Sequence, residues 1–347
     1  LMVSAFLVFI SLGVTEMSAP LGELQQTPIS LDPSNLPDYA LRTTLRMLIA
    51  VFFALVFTLV YATLAAKSRK AGQIMIPLLD ILQSVPVLGY ISFTIAGFLA
   101  LFPGNTLGVE AAAIFAIFTS QAWNMTFSMY QSIQSLPKDM REAAVVFRLS
   151  GWQKFWKMEL PFAMPGLVWN MMVSMSGWWF FVVASEAITV GAQKVSLPGI
   201  GSYIALAIVE RDLTAIGYAI ATMTVVILLY DQLLFRPLVA WSDKFRYEMT
   251  ASQNAPKSWV LSLFSKSRLA RKVFVPVARL NHFVLRIRLF SPAAQSTSGM
   301  SQKQAKLLDY AWVMLLSGVG LAAGWHMLHF LLSSVSFSDI GEVAFLS

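Results

Sequence analysis

The sequence predicts an all-α, polytopic membrane protein with about seven transmembrane helices, the first of them partial. Of the 347 residues, 57% are hydrophobic and only 12% are charged, and the mean hydropathy is +0.66. These values lie well outside the balance of a soluble globular domain. Several apolar runs also reach the ~20 residues that a helix needs to cross hydrocarbon, where only an internally hydrogen-bonded backbone is tolerated.

Five apolar runs are long enough to span a membrane. They cover residues 44–65, 83–102, 108–130, 165–187 and 214–235. A sixth run lies at 307–333, and the opening stretch at 1–14 is too short to cross alone. We interpret 1–14 as the outer half of a helix that lacks its beginning, and a signal-peptide fragment is the alternative. Because both chain ends are abrupt, we expect the chain to be a fragment of a longer protein.

The lysines and arginines between these runs follow an alternating pattern. Of the 25, 21 fall in three alternate connections: three at 67–70, five at 138–157 and thirteen at 236–306. The other four are Arg42, Arg46, Lys194 and Arg211. By the positive-inside rule the basic connections are cytoplasmic. The excess of basic residues is therefore explained by topology, and we expect no nucleic-acid partner.

The composition also divides the chain into segments. Residues 1–39 hold the partial helix and a periplasmic segment, 40–247 the transmembrane domain, 248–304 a basic cytoplasmic linker, and 305–347 a further helix. Cations and large apolar residues alternate within the linker, which is typical of a membrane-surface helix; a solvated linker touching anionic lipid is the alternative. Membrane lipid is an expected partner in both cases. The absence of cysteine excludes disulfides, a thiol nucleophile and cysteine-ligated metal.

The connection at 135–161 is predicted to be two short helices. Pro137 is tolerated at a helix start, with Ser135 before it as a candidate N-cap, so the first helix should cover 136–148. Ser150 and Gln153 have the spacing of a capping box, which starts a second helix. Pro161 disfavours helix at the residue before it and should limit that helix to 151–159.

The second helix has an aromatic face. Trp152, Phe155 and Trp156 stand at i, i+3 and i+4, while Lys154 and Lys157 point elsewhere. This pattern alone fits a helix that docks on a partner and equally fits a hairpin lying at the membrane interface.

The segment resembles the EAA loop of binding-protein-dependent ABC importer permeases. Glu142, Ala143, Ala144, Leu160 and Pro161 match that motif. Arg148 stands where the family usually has glycine, and Gly151 follows three residues later. The stretches LLDILQSVPVLGY at 78–90 and LPGIGSYIALAI at 197–208 are similar to two further segments of the family. The likeness is strongest to the nitrate, sulfonate, taurine and bicarbonate branch, in permeases with two fused units.

The resemblance implies a type I ABC importer permease fold in a bacterial-type inner membrane. It implies that the EAA loop docks on cytoplasmic ATPase subunits, that a periplasmic solute-binding protein delivers the solute, and that 305–347 begins a second permease unit, fused or homodimeric. The docking role falls on Glu142, Ala143, Ala144, Arg148, Gly151, Leu160 and Pro161. The chain has no Gly-x-x-x-x-Gly-Lys phosphate loop, so ATP hydrolysis is expected in a partner and the chain itself is not an enzyme.

Polar residues inside predicted spans are candidates for the translocation pathway, because they are costly there. Two stripes at helical spacing are formed by Ser120, Asn124 and Ser128 and by Asn170, Ser174, Gly177 and Phe181. Close packing between helices is the alternative explanation for small and hydroxyl residues. Glu186, close to the outer boundary, is interpreted as a gate residue or as a structural partner of Arg211.

The remaining ionisable residues in or near spans are assigned structural roles. Asp80, Glu110 and Asp231 lie close to span ends and are expected to be hydrogen-bonded or ion-paired. His326 and His329 have metal-compatible spacing, but no carboxylate accompanies them, so we expect no metal and no cofactor.

The sequence thus favours a permease that moves a small solute, with an anion implied by the branch. A secondary transporter or channel without an ATPase, and a membrane scaffold protein, are the alternatives.

Overall fold

The computed structural model describes residues 29–246 except 86–93, 95–96, 104 and 191–192. Beyond them it describes 258–266 and the single positions 279, 283, 285–287, 314, 318 and 325. The chain forms two compact units, Leu1–Phe290 and Ser291–Ser347, and every contact discussed below lies within the first. The predictions for 1–14, for most of 248–304 and for nearly all of 307–333 fall outside the described residues.

The described part is built mainly from helices. They are α1 (Leu36–Lys67), α2 (Arg69–Ser84), α3 (Leu107–Gln134), α4 (Lys138–Val146), α5 (Gly151–Lys154), α6 (Leu160–Glu186), α7 (Ile200–Glu210), α8 (Leu213–Tyr230), α9 (Arg236–Ser242) and α10 (Trp259–Lys266). The all-α prediction misses one antiparallel hairpin, in which β1 (Ala187–Val190) pairs with β2 (Gln193–Ser196). The hairpin joins α6 to α7.

The first two helices meet at a sequence-encoded break. Asp32 accepts a hydrogen bond from the Ser34 backbone at 2.9 Å and thereby starts the turn before α1; hydrogen bonds from Ser34 also lower the pKa of Asp32. At the other end, Ser68 is extended, and its hydroxyl accepts from the Ala71 backbone at 3.3 Å. That bond caps the start of α2, so the basic stretch at 67–70 becomes a sharp corner.

Two prolines are accommodated within continuous helical backbone, and one of them, Pro161, was expected to stop a helix. A π turn at Phe155–Glu159 joins α5 to α6, and a second one at Asp231–Phe235 joins α8 to α9. Each π turn ends two residues before a proline, at Pro161 and Pro237. The wider turn moves the carbonyl ladder away from the proline ring, which would clash in a regular α-helix. The predicted end of the second loop helix at 159 is therefore wrong, because the helical backbone runs on to Glu186.

Three helices form the centre of the fold. They are α1, α3 and α6, and α1 and α3 carry many small buried residues: Ala50, Ala54, Ala62, Ala113, Ala116 and Ala122. Their size lets the backbones approach closely, as is typical of membrane helices. The hydroxyls of Thr58 and Thr126 also lie 3.2 Å apart across the pair. α6 packs on the other side of α3, and α7 and α8 complete the core.

Within the described residues, two helical stretches are long and apolar enough to cross a membrane, Pro33–Lys67 and Leu213–Phe245. A third is a bent pair, Gly151–Ser174 with Trp179–Glu186, whose parts meet at 52°. Between the two parts lie Ser176 and Gly177, a pair at which helices commonly kink. The architecture is thus that of a helical membrane protein, and the larger number of spans stays a prediction.

Candidate functional site

The 135–161 segment begins with a helix whose start differs from the prediction. α4 starts at Lys138 with Pro137 in the N-cap position and no side-chain cap. Ser135 instead ends α3, since its backbone N–H donates to Gln131 O at 2.9 Å and its hydroxyl to Ser132 O at 3.2 Å. The predicted capping role of Ser135 is therefore wrong, because the preceding helix runs further than its apolar run suggests.

The turn after α4 depends on a left-handed residue. Arg148 has φ of 48°, and the N–H of Leu149 reaches back to Ala144 O at 3.0 Å. This is the helix-terminating arrangement that glycine usually supplies, because glycine has no Cβ to clash in that conformation. Arg148, which stands where the EAA motif usually has glycine, thus adopts the backbone conformation that glycine favours.

A capping box starts the second helix, as the spacing predicts. The Ser150 hydroxyl accepts from the Gln153 N–H at 3.2 Å, and the Gln153 side chain accepts from the Ser150 N–H at 3.2 Å. Two backbone donors that a helix start leaves unpaired are satisfied in this way. Gly151 is the first residue of α5, so the break between the two loop helices lies where it was expected.

The residues of α4 divide into a buried and an exposed side. Ala144 is buried at 4% exposure, Ala143 is half-buried and Glu142 is exposed. Directly after them, Val145, Val146 and Phe147 are exposed at 72%, 77% and 74%. We call these three residues the 145–147 patch. The patch was not predicted, because apolar residues within a helix are ordinarily expected to be buried.

The loop is fastened to the ends of two long helices. Lys67, the last residue of α1, places Nζ 3.1 Å from a Glu159 carboxylate oxygen and 3.4 Å from Gly151 O. Arg141 donates to Gln134 O at 2.7 Å, at the end of α3. Leu160 and Pro161 belong to the first turn of α6 and are half-buried. The loop is thus in direct contact with the ends of α1 and α3 and continues into α6.

A buried ion cluster occupies the opposite ends of these helices. Arg46 is fully buried and donates to both oxygens of Glu110, at 2.6 and 2.7 Å, and to Glu186 at 2.8 Å. It also donates to Pro198 O at 2.9 Å. We call Arg46, Glu110 and Glu186 the Arg46 cluster. The expected pairing of Glu186 with Arg211 is wrong, because the guanidinium of Arg46 reaches it from α1; the ion-paired role expected of Glu110 is confirmed.

The start of α7 is built onto the same cluster. Glu186 accepts from the Gly201 N–H at 2.7 Å and from the Thr43 hydroxyl at 2.7 Å. That hydroxyl accepts in turn from the Ile200 N–H at 3.1 Å. A Cβ at Gly199 would collide with the Glu186 carboxylate, so the glycine is needed for close approach. A carboxylate at a helix N-terminus is stabilised by the unpaired N–H groups there.

The two polar stripes meet along the contact of α3 with α6. The Asn124 amide donates to the Ser174 hydroxyl at 3.3 Å. A Cβ added at Gly166 would lie 3.3 Å from the Ser128 hydroxyl, which shows how closely the helices pass. Asn170 donates to Gly166 O at 3.0 Å within its own helix, and a Cβ at Gly177 would meet nothing within 4 Å. Asn124 and Gly177 are exposed, whereas Ser128 and Ser174 are buried.

No group of three or more His, Cys, Asp or Glu side chains suited to a metal ion occurs among the described residues. His326 and His329 lie outside that part of the chain. Asp231 is paired with Arg236 at 2.9 Å, in agreement with the structural role expected of it.

A family model described as "Binding-protein-dependent transport system inner membrane component" matches residues 59–236, just over half of the chain. The matched stretch contains the loop with the 145–147 patch, both π turns, and the segment of Gly199 and Gly201.

Several relatives of modest sequence identity are also named as transport permeases. The nitrate import permease protein NrtB of Leptolyngbya laminosa is 26% identical over 46% of this chain and 52% of its own length. The bicarbonate transport system permease protein CmpB of Synechococcus elongatus is 24% identical over 52% and 59%. The glycine betaine/proline betaine permease protein ProW of Escherichia coli is 32% identical over 47% and 44%. The chain thus spans about half the length of these relatives.

Proposed function

The chain belongs to the family of inner membrane components of binding-protein-dependent transport systems, and on this basis we propose that it is the permease subunit of an ATP-driven importer. In this proposal the chain itself catalyses nothing. ATPase subunits bind segment 135–161 from the cytoplasm, a periplasmic solute-binding protein delivers the solute, and the chain works with a second permease unit, fused or homodimeric. The exposed 145–147 patch is the observation that carries the proposal.

The patch supports docking because exposing its large apolar side chains to water is unfavourable and a partner would bury them. Three adjacent large apolar residues, each more than 70% exposed, lie on a connection that the positive-inside rule assigns to the cytoplasm. Contiguous exposed apolar surface marks interaction sites in soluble regions. Burying one such side chain in a partner contributes about 1.5–3 kcal/mol. A groove of an ATPase subunit is the occupant we propose.

The residues of the EAA motif take different parts in this docking. Glu142 is exposed and is assigned to direct contact with the ATPase. Ala144 is buried, so we assign it to packing of α4 on the rest of the loop, with Ala143 at the boundary. Arg148 shapes the turn that presents the patch and offers an exposed cation beside it.

For the translocation pathway we propose the α3–α6 seam. Its support is the meeting of Asn124 with Ser174 and the open space at Gly177 beside the bend. Asn170 continues the α6 stripe toward the cytoplasmic end, whereas Ser128 is buried against Gly166 and is assigned to helix packing. Polar groups on a bent helix suit a path that opens when the bend changes.

For the outer gate we propose the Arg46 cluster, with Glu186 as its joint to α7. Glu186 is the last residue of α6. It is bonded to α1 through Arg46 and to α7 through the Gly201 N–H. Opening the outer end by moving α7 has to break these bonds together. The cluster therefore holds the outer end closed until binding energy from outside is available.

The solute is proposed to be a small anion. The relatives include permeases named for nitrate and bicarbonate, which are anions, and for betaines, which are zwitterions with a carboxylate. An uptake panel of nitrate, bicarbonate, an alkylsulfonate and glycine betaine separates these classes. If the Glu186→Gln variant takes up solute at the native rate in the same panel, Glu186 is not a gate residue.

The docking proposal is tested with the full chain and the ATPase encoded beside it. We expect Glu142→Lys and Val146→Asp to lower both the amount of ATPase retained on the immobilised chain and the rate of ATP hydrolysis. Val209→Asp is the matched control, because Val209 is 66% exposed at the opposite end of the fold and should leave both unchanged. ATPase retention that is indifferent to Val146→Asp and to deletion of 136–160 contradicts the proposal.

A further inference from the structure

Glu159 lies at the point where the docking segment continues into a membrane helix. It closes the π turn between α5 and α6 and is only 3% exposed. Since helical backbone is continuous through the turn, a displacement of α5 is passed directly into α6. Such π turns inside helices are frequently found at functional sites.

Two lysines from different elements converge on this carboxylate. Lys67 of α1 lies 3.1 Å from one oxygen of Glu159, and Lys154 of α5 lies 3.6 Å from the other. The Lys67 ammonium also stands 5.3 Å from the centre of the Phe155 ring, in cation–π geometry. The end of α1 is thereby tied to both ends of the π turn.

The Glu159 carboxylate is far more buried than either lysine, and Lys67 is the nearer of the two cations that offset its charge. The Lys67 side chain is 39% exposed, whereas Glu159 is nearly enclosed. A buried carboxylate that loses its nearest cation keeps the desolvation cost of its burial, so separating the pair is unfavourable. The two residues are therefore expected to move together. The α3 end is linked to the same place, because the Gln134 amide lies 3.5 Å from Ala66 O.

We propose that Lys67 and Glu159 are a positioning pair for energy coupling: they make the docking segment, α1 and α6 move together when the ATPase moves the loop. The inference rests on the proposed docking function and adds to it two residues that are not among the matched positions of the EAA motif. Docking itself is assigned to the 145–147 patch, so loss of the pair leaves ATPase binding intact and removes the transmitted movement.

The absence of cysteine from the native sequence allows a direct test. In the Gly177→Cys background, a maleimide reports on the bend of α6, where an added Cβ meets nothing within 4 Å. The full chain is reconstituted with its ATPase, and the labelling rate is measured with and without ATP and vanadate. The retained ATPase is quantified in the same samples.

We expect Lys67→Met to retain ATPase at the native level and to lose the ATP-dependent change in labelling. Lys67→Arg and the exchange Lys67→Glu with Glu159→Lys should keep that change. Arg69→Met is the control, since Arg69 is exposed two residues further on. If Lys67→Met does not yield a monodisperse protein, the exchange variant decides alone.

A native ATP response in Lys67→Met, or no response in the exchange variant, overturns the inference. So does a Gly177→Cys complex with the native pair that binds ATPase without any change in labelling, because no motion then reaches α6. If the native chain does not retain ATPase at all, the proposed function itself is contradicted. The two failures are therefore distinguishable.

Discussion

Replacing Arg46 with methionine is expected to destabilise the protein strongly. The substitution keeps the length of an unbranched side chain but removes four hydrogen bonds, to Glu110 twice, to Glu186 and to Pro198 O. Two buried carboxylates then face each other without their shared cation. The cluster should fail as a whole, because neither carboxylate is exposed enough for water to replace the guanidinium.

The expected magnitude follows from these contacts. Removing one partner of a buried ion pair costs about 3–5 kcal/mol. With a shift of at most about 2–4 °C per kcal/mol, the value for domains of about 150–250 residues, the unfolding midpoint should fall by up to roughly 6–20 °C. Glu186→Gln should cost only about 1–3 kcal/mol, because it keeps an acceptor for Arg46 and Thr43, unpairs the Gly201 N–H and removes the surplus negative charge.

The assay is thermal unfolding of the detergent-purified chain, followed by the fluorescence of its ten tryptophans. Arg42→Met is the matched control, since Arg42 lies one turn earlier and pairs with the half-exposed Asp38; exposed pairs of this kind contribute at most about 1 kcal/mol. A midpoint of Arg46→Met within about 2 °C of the native value, the shift expected for only about 0.5–1 kcal/mol, would contradict this expectation. So would a larger loss in Glu186→Gln than in Arg46→Met.

Substitutions at three further positions, two of them with a matched control, test local geometry in the same assay. Gly199→Ala should destabilise because its Cβ meets the Glu186 carboxylate, whereas Gly217→Ala, where a Cβ meets nothing within 4 Å, should be neutral or stabilising; equal midpoints would contradict the close packing. Arg148→Gly should raise the midpoint or leave it unchanged, since φ of 48° costs a non-glycine residue about 1–2 kcal/mol; a clear drop would show that the arginine side chain holds the turn. Ser150→Ala should cost about 1 kcal/mol through the lost capping bond, and Ser150→Thr, which keeps the hydroxyl, should recover most of it.

Local signals in the sequence predicted the parts of the fold that depend on local chemistry. The break before Gly151 and the capping box of Ser150 follow from residues within three positions of each other. Hydrophobic run length likewise located α1, α3 and α6. The same reasoning failed at Pro161, because a single-sequence rule for proline describes the regular α-helix and takes no account of a π turn that relieves the clash.

The residues that sequence reasoning missed depend on distant contacts. Arg46 lies 64 residues from Glu110 and 140 from Glu186, so no spacing rule links them. Lys67 entered the sequence prediction only as one of the basic residues that set the membrane orientation. Its ion pair with Glu159 was missed because the two residues are 92 positions apart in the sequence. The 145–147 patch was hidden for another reason: apolar residues next to a helix motif suggest burial, and only the folded loop reveals that they face outward.

The π turn at Phe155–Glu159 also sets a rotational phase. In a regular helix each residue advances the side-chain direction by about 100°. The number of residues between Trp152 of α5 and the buried face of α6 therefore fixes the direction of one relative to the other. Deleting or inserting a single residue there would turn the loop by that angle about the helix axis while leaving every side chain chemically intact. Chain length in this stretch is therefore as constrained as residue identity, and a family member of different length would need a compensating change in its turn.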